Sequence, residues 1–240
     1  MQGEEVTLVG LRSSVAPLLS ARPGDALAAY YALEHDPRRV RLFVEPASGA
    51  PRAFAAVCQT GLDLFRPLVV MRGDGEPLRR VLAQALAPGR PYLFSAPMAA
   101  RDAILSMAVV SAAQANVVFV LDAGALTPVM NVLTIISRTP DGQIRAAIRG
   151  RDGDPVAEAG TSWLGKGYAE VYVRVREGAR GRGLAKSVVS AVCVEVQALG
   201  RVPIFVTAQD NAPARGVALR LGFRDSGVSE WSGALSRAAA

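Results

Sequence analysis

The chain has 240 residues and a formal charge of +6, from 27 basic and 21 acidic side chains, with half of its residues apolar and a fifth charged. That balance excludes wholesale disorder, and 15 Pro and 23 Gly, dispersed along the chain, exclude a collagen or a low-complexity linker. No run approaches the roughly 20 apolar residues of a spanning helix, and the opening MQGEEVTLVG lacks the basic start of a secretory signal, so the expectation is a soluble, cytoplasmic protein of one large domain or two small ones.

The first periodic segment is helical, Gly24 to Glu34, with Asp25 placed to cap it. Strands follow at Val40–Glu45, Arg52–Gln59 and Phe65–Met71, separated by turn residues. Glu76–Leu86 reads as helix, Pro91–Ser95 as strand, Ala100–Met107 as helix, and Asn116–Leu121 and Val129–Ser137 as strands. The second half predicts strands at Gln143–Arg149, Val156–Trp163 and Tyr168–Arg176, with GRDGDP as a hairpin turn between the first two. A long helix from Arg182 to Leu199, a strand Pro203–Thr207, a helix Ala212–Leu221 and a closing strand Gly227–Leu235 complete it. Meandering strands, helix, strand, helix, strand define an α/β fold of the α+β type, with a central mixed sheet and flanking helices.

Two cysteines, Cys58 and Cys193, sit in apolar runs and read as buried small side chains. The single histidine, His35, reads as a surface or helix-end residue, and one His with two separated Cys makes no ordinary zinc ligand set. Neither metal nor membrane is expected. RDGD at Arg151–Asp154 lacks the later ligands of a calcium loop, and the terminal SRAAA reads as a frayed tail. Trp163 and Trp231 read first as packing residues and second as walls of a pocket.

The charge is uneven. Residues 1–125 hold 12 basic and 11 acidic side chains, net +1, and residues 126–240 hold 15 and 10, net +5. The arginines are dispersed and no helix-turn-helix, finger or aromatic RNA-binding signature accompanies them, so nucleic acid is disfavoured against a smaller polyanion.

The order of elements repeats, and so do some letters. VVMRGDG, a helix and PGRPYLFSAP in the first half answer VRVREGARGRG, a helix and LGRVPIFVTA in the second, which sets Arg72-Gly73-Asp74-Gly75 opposite Arg180-Gly181-Arg182-Gly183. Two α/β segments can share generic turn preferences, but an internal duplication is the reading taken, with domains at 1–127 and 128–240.

The informative stretch is Tyr168 to Phe223. The strand YAEVYVRV ends in REGARGRG and a helix begins there. Glycines 181 and 183 let the backbone come close to a ligand, and the unpaired N–H groups and positive dipole end of the helix suit a pyrophosphate, with Arg180 and Arg182 at the rim. A tight turn with no ligand is the plain alternative. The spacing is neither a Walker loop nor a dinucleotide fingerprint.

RGRGLA at Arg180–Ala185 resembles the Q/R-x-x-G-x-G/A pattern of the GNAT superfamily of CoA-dependent N-acyltransferases. The amphipathic helix, PIFVTA, Asn211, Ala214 and then LGF at Leu221–Phe223 follow in that family's order, so that the likeness covers about residues 140–235. The resemblance implies two GNAT-like mixed-sheet domains, the N-terminal copy degenerate. It implies that Arg180, Gly181, Arg182, Gly183, Leu184 and Ala185 hold the pyrophosphate of acetyl-CoA, the acyl donor. It also implies that the strand edge at Val173–Val175 pairs with the pantetheine arm where the strand splays from Pro203–Thr207, that Asn211 bonds the arm, and that Ala214 flanks it.

The implied reaction is N-acetyltransfer, or transfer of another short acyl group, by direct attack of a primary amine on the thioester. Glu170 is the candidate base, with a solvated carboxylate paired to an arginine as its alternative. Alternation puts Tyr168, Glu170, Tyr172 and Arg174 on one face of the strand and Val171, Val173 and Val175 on the other, unless a bulge intervenes. The family's acid tyrosine is replaced by Ala218, and Tyr168, Tyr172 and Ser229 are the substitutes considered. Glu177 stands where a proline is usual. The acceptor is expected to be a small-molecule or peptide amine, and a homodimer is left open. The first copy, RGDGEP, puts Asp74 and Glu76 where phosphates would sit and loses an amide at Pro77; it is expected not to bind CoA. The rival readings are a non-catalytic acyl-CoA sensor and, behind it, a nucleic-acid binder.

Overall fold

The computed structural model describes residues 7–61 and 63–238. In chain order these form helix α1 (Leu8–Val15), helix α2 (Ala26–Ala29) continued by a π-helical turn at Tyr30–Glu34, strands β1 (Val40–Glu45), β2 (Ala53–Cys58) and β3 (Leu68–Arg72), and helix α3 (Gly75–Ala85). Strand β4 (Pro91–Pro97), helix α4 (Arg101–Leu105) and strands β5 (Val109–Val120), β6 (Ile135–Arg138), β7 (Ile144–Arg149), β8 (Pro155–Leu164) and β9 (Tyr168–Val175) come next. Helix α5 (Leu184–Ala198), strand β10 (Val202–Ala208), helix α6 (Ala212–Arg220) and strand β11 (Arg224–Ser236) complete the chain. No helix among the described residues is long and apolar enough to cross a membrane.

Two compact units result: Met1–Asn116 with Ser229–Ala240, and Val117–Val228. The divisions fall inside β5 and inside β11, so the last strand contributes residues to both units.

In the first unit β1, β2 and β3 form an antiparallel meander. Strand β4 then pairs parallel to β3 over three rungs, Leu68↔Leu93, Val69↔Phe94 and Val70↔Ser95, with residues 230–236 of β11 antiparallel on its other side. The amphipathic α3 buries Leu78, Val81 and Leu82 on this sheet, and Trp231 meets Phe94 edge to face in the same core. Cys58 is buried as read, its thiol pushed up to about 12 by desolvation.

Other expectations for this unit are corrected. Asp25 makes no capping bond; its carboxylate instead accepts from the Ser20 backbone and hydroxyl and from Arg72 at 2.7 Å. His35 stands at a helix end, as the C-cap of Tyr30–Glu34, but is buried rather than superficial, its ring tilted and edge-on against Tyr30 and Tyr31 with its Nε2 3.0 Å from the Gln59 carbonyl. The tail is anchored at Arg237, which donates to the Ala83 carbonyl and accepts from the Gly89 amide; residues 239–240 lie outside the described residues. Helix α1 was not anticipated because Val15 alone of its residues is buried, which leaves no apolar stripe to read.

The second unit repeats the order of elements. Strands β6, β7, β8 and β9 are antiparallel neighbours, and β10 pairs parallel to β9 over three rungs, Tyr168↔Val202, Ala169↔Pro203 and Glu170↔Ile204. Five valines make α5 a mediocre helix by propensity, yet Val188, Val189, Val192, Cys193 and Val196 recur on one face and are buried on β7, β8 and β9. Each such valine is worth about 1.5–3 kcal/mol, enough for packing to override propensity. Ala218, in place of the tyrosine, has its methyl group in this core.

Several strand bounds move, two of them by more than a turn. Of the predicted Val129–Ser137 only Ile135–Ser137 is strand, running on to Arg138; before it Val129 donates to the Ser190 hydroxyl and Thr134 turns back on Asn131. Strand β5 starts at Val109, seven residues early, because SAAQA lacks the alternation that marks a strand.

Candidate functional site

Parallel pairing of β9 with β10 stops at Glu170↔Ile204, while β9 stays paired to β8 out to Val175↔Ala157. From Val171 to Val175 one edge of β9 therefore faces no strand. Pro203 and Ile204 are still paired, so the divergence begins one residue beyond them rather than along the whole of Pro203–Thr207. In the first unit β3 runs only two residues past its last rung with β4, to Arg72, against five in β9.

Beside this open edge lies a cavity of about 910 Å³. Of the residues singled out from the sequence, Val173, Val175, Arg180, Gly181, Gly183, Leu184, Ala185, Asn211 and Ala214 line it and Arg182 does not. Its lining also includes Arg174, Lys186 and Arg220, so four basic side chains and no acidic one surround it. The sequence reading missed Ala179, Lys186, Pro213, Val217 and Arg220. The spacing of the last three, four and three residues, places them on one helical face with Ala214 nearby, a signal that could have been used.

The chemistry of the rim is set by backbone. Gly181 and Gly183 have φ of +77° and +76°, values that side chains resist, and Gly183 is the N-cap of α5 with no side-chain cap. The amides of residues 181–185 find no acceptor among the described residues. A Cβ at Gly181 would meet nothing within 4 Å, and one at Gly183 only the end of Lys186, so the loop leaves room at the amides. Five N–H groups, a positive helix end and fixed cations form a seat for a multiply charged anion. Asn211 caps α6 with its side-chain oxygen on the Ala214 amide at 3.2 Å, which leaves its amide nitrogen to donate elsewhere.

The candidate catalytic side chains stand on the other face of β9. Alternation holds along this strand: Ala169 and Val171 are in the core, and Tyr168, Glu170 and Tyr172 are half-buried opposite. The register shift falls in β8 between Thr161 and Trp163. It adds Ser162 and turns Trp163 out of the series Ala157, Ala159, Thr161 to face Glu170, whose Oε2 accepts from the indole Nε1 at 2.7 Å. Thus Glu170 is at the last rung before the strands part, and is held by an indole rather than an arginine in this bond. Neither Glu170 nor Tyr168 lines the cavity itself.

Tyr172 lies across Gly160, where a Cβ would come 2.9 Å from its hydroxyl, and donates to Glu158 at 2.8 Å; burial and that bond push it up to about 12. Tyr168 is raised by burial and by the charge of Asp122, which pairs with Arg224. Ser229 falls in the first unit and is exposed. No group of three His, Cys, Asp or Glu among the described residues is placed to hold a metal, and Cys193 is raised by complete burial.

A mixed sheet whose central parallel pair diverges beside a glycine-lined helix start is the GNAT fold, and this chain has it. It is similar to a GCN5-related N-acetyltransferase-like protein from Streptococcus suis, 14% identical over 95% of this chain and 100% of that one, with a TM-score of 0.64. It is also similar to a GCN5-related N-acetyltransferase from Kribbella flavida, 15% identical over 92% and 98%, TM-score 0.59. A tandem GNAT protein from the clavulanic acid biosynthesis pathway, 14% identical over 97% and 93%, scores 0.54. Identities this low speak to the fold. At the level of sequence, residues 161–232 match the model of the FR47-like protein family, which is GNAT-related. No curated protein matches the sequence.

Proposed function

We propose that the protein is an acetyl-CoA-dependent N-acetyltransferase that moves an acetyl or other short acyl group to a primary amine. The observation that carries this is the end of β9–β10 pairing at Glu170↔Ile204 beside a cationic cavity floored by the start of α5. The diphosphate would bind the amides of residues 181–185, with Arg180 and Lys186 supplying charge. The pantetheine arm would occupy the open edge at Val173–Val175 as a strand-like addition, with Asn211 donating to it. Such an arm would lead past the last rung to the face that bears Glu170. There a carboxylate would take the proton of the attacking ammonium, directly or through water, and the oxygen of the thioester would be polarised by strand amides.

Tyr172 is committed to Glu158, and its raised pKa makes it a poor acid at neutral pH; Tyr168 is the remaining tyrosine on this face. The absence of a tyrosine at Ala218 favours one second reading, a non-catalytic acyl-CoA sensor. In the first unit the two-residue overhang of β3, the carboxylates Asp74 and Glu76 and the ring of Pro77 argue against a second CoA site.

Calorimetry with CoA and acetyl-CoA, followed by release of free CoA thiol across a panel of small amines and peptide N-termini, tests the proposal. Binding near one equivalent with amine-dependent thiol release is expected. Binding with no release from any amine would favour the sensor, and no heat at all would remove both readings.

A further inference from the structure

We propose that Trp163 is the positioning residue for Glu170: its buried indole N–H, carried across the sheet by the extra residue at Ser162, fixes the carboxylate at the point where β9 and β10 part. The inference rests on the acyltransfer reading for its consequence in catalysis, and on the geometry alone for the bond.

Trp163 is 2% exposed and yet has no place in the apolar cluster under α5. Regular alternation would have put it there, with Ala157 and Ala159. The register shift between Thr161 and Trp163 instead brings it opposite Glu170, and Leu164, one residue on, returns to the core with Ala169. A bulge that re-aims one side chain and then restores the alternation is how sheets place a functional group.

An indole N–H is a donor only, and one buried without an acceptor is destabilising. Its acceptor here is a carboxylate oxygen at 2.7 Å, a charge-assisted length. The bond commits Oε2, fixes the plane of the group and so directs Oε1. It also favours the ionised form, which is the form a base requires.

The titratable and charged groups placed near this point include Tyr168 and Tyr172 on β9, Glu158 with its partner Arg145 on the far side of Tyr172, the Asp122–Arg224 pair near Tyr168, and Lys166 in the turn between β8 and β9. Across the last rung β10 presents Ile204.

The test is a carbon-13 titration of the Glu170 carboxyl in full-length protein labelled at glutamate, the signal assigned by its loss in Glu170→Gln. Trp163→Phe is expected to raise the midpoint by about one unit or more, the scale of one hydrogen bond to a charged group. It is also expected to lower kcat by at least about tenfold, within what general bases supply, with KM for the acyl donor changed less than about twofold. If Trp163→Phe does not fold, the reciprocal reading decides: in Glu170→Gln the indole N–H proton signal of Trp163 should move and exchange faster with water. An unmoved Glu170 midpoint in folded Trp163→Phe, or an unmoved indole signal in Glu170→Gln, overturns the proposal. A moved midpoint in a protein that acylates no amine supports the Trp163–Glu170 link and overturns the acyltransfer reading instead.

Discussion

Arg72 shows how one side chain settles what a stretch of sequence becomes. In the motif RGDGEP it looks like a counterpart of Arg180, at the rim of a loop. It is instead buried, 2.7 Å from Asp25, bonded to the Gly24 carbonyl and 3.6 Å from Glu230. Glu230 is itself buried, bonded to Ser95, and raised by that burial despite Arg72. Removing one partner of a buried charge cluster leaves the others uncompensated, which costs about 3–5 kcal/mol. Arg72→Met should therefore lose stability of that order in urea unfolding, and adding Glu230→Gln should restore part of it. Equal losses in the single and double variants would show that the guanidinium does not act through Glu230.

The two loop-to-helix elements differ by small shifts that alignment of letters hides. Asp74, not Gly75, is the N-cap of α3, and α3 begins at Gly75, whereas Gly183 is itself the N-cap of α5. Both glycines have positive φ and both would place a Cβ in open space. Leucine at either should thus incur a similar backbone strain, about 1–2 kcal/mol. That makes Gly75→Leu a matched control for Gly183→Leu. Calorimetry should show CoA affinity reduced at least about tenfold, or about 1.4 kcal/mol, by the change at 183 and unaltered by the change at 75. The opposite pattern would move the site to the first unit.

These elements also show how far the sequence could be read. The glycine-rich turn, α5, β10, α6 and the alternation on β9 were all legible, because each depends on local periodicity or on a residue with a special backbone range. The seat of Trp163 was not, because one extra residue in β8 inverts a count by twos and nothing in WLGKG marks it. Nor was the burial of His35 and Arg72, since both are polar residues whose partners, Gln59, Asp25 and Glu230, lie 24, 47 and 158 positions away in the chain.

For the molecule as a whole, charge sets the response to acid. Asp63, Glu76, Asp122 and Asp152 are lowered, chiefly by hydrogen bonds from backbone amides or arginines. In Asp25 burial pushes upward, but bonds from Ser20 and Arg72 outweigh it. A carboxylate lowered on folding stabilises the fold above its unfolded value and loses that contribution as pH falls. Glu230 runs the other way, since a raised carboxyl contributes below its unfolded value and loses that as pH rises. With five groups against one, the thermal midpoint should fall as pH is taken from about 5 to about 3. Because three of the five, Glu76, Asp122 and Asp152, are exposed, the fall should be shallower in about 1 M salt, where the screening length is about 3 Å. A midpoint that rises on acidification would mean that Glu230 dominates.

Composition and periodicity were enough for the class of fold and for the glycine-rich turn at the start of α5, since glycine spacing and helix starts act over a few neighbouring residues. The divided path of the last strand, the length of β9 beyond its final rung and the partner of Glu170 came from three-dimensional pairing. Each depends on which strands lie side by side and in what register, and that choice is made by burial across distant segments.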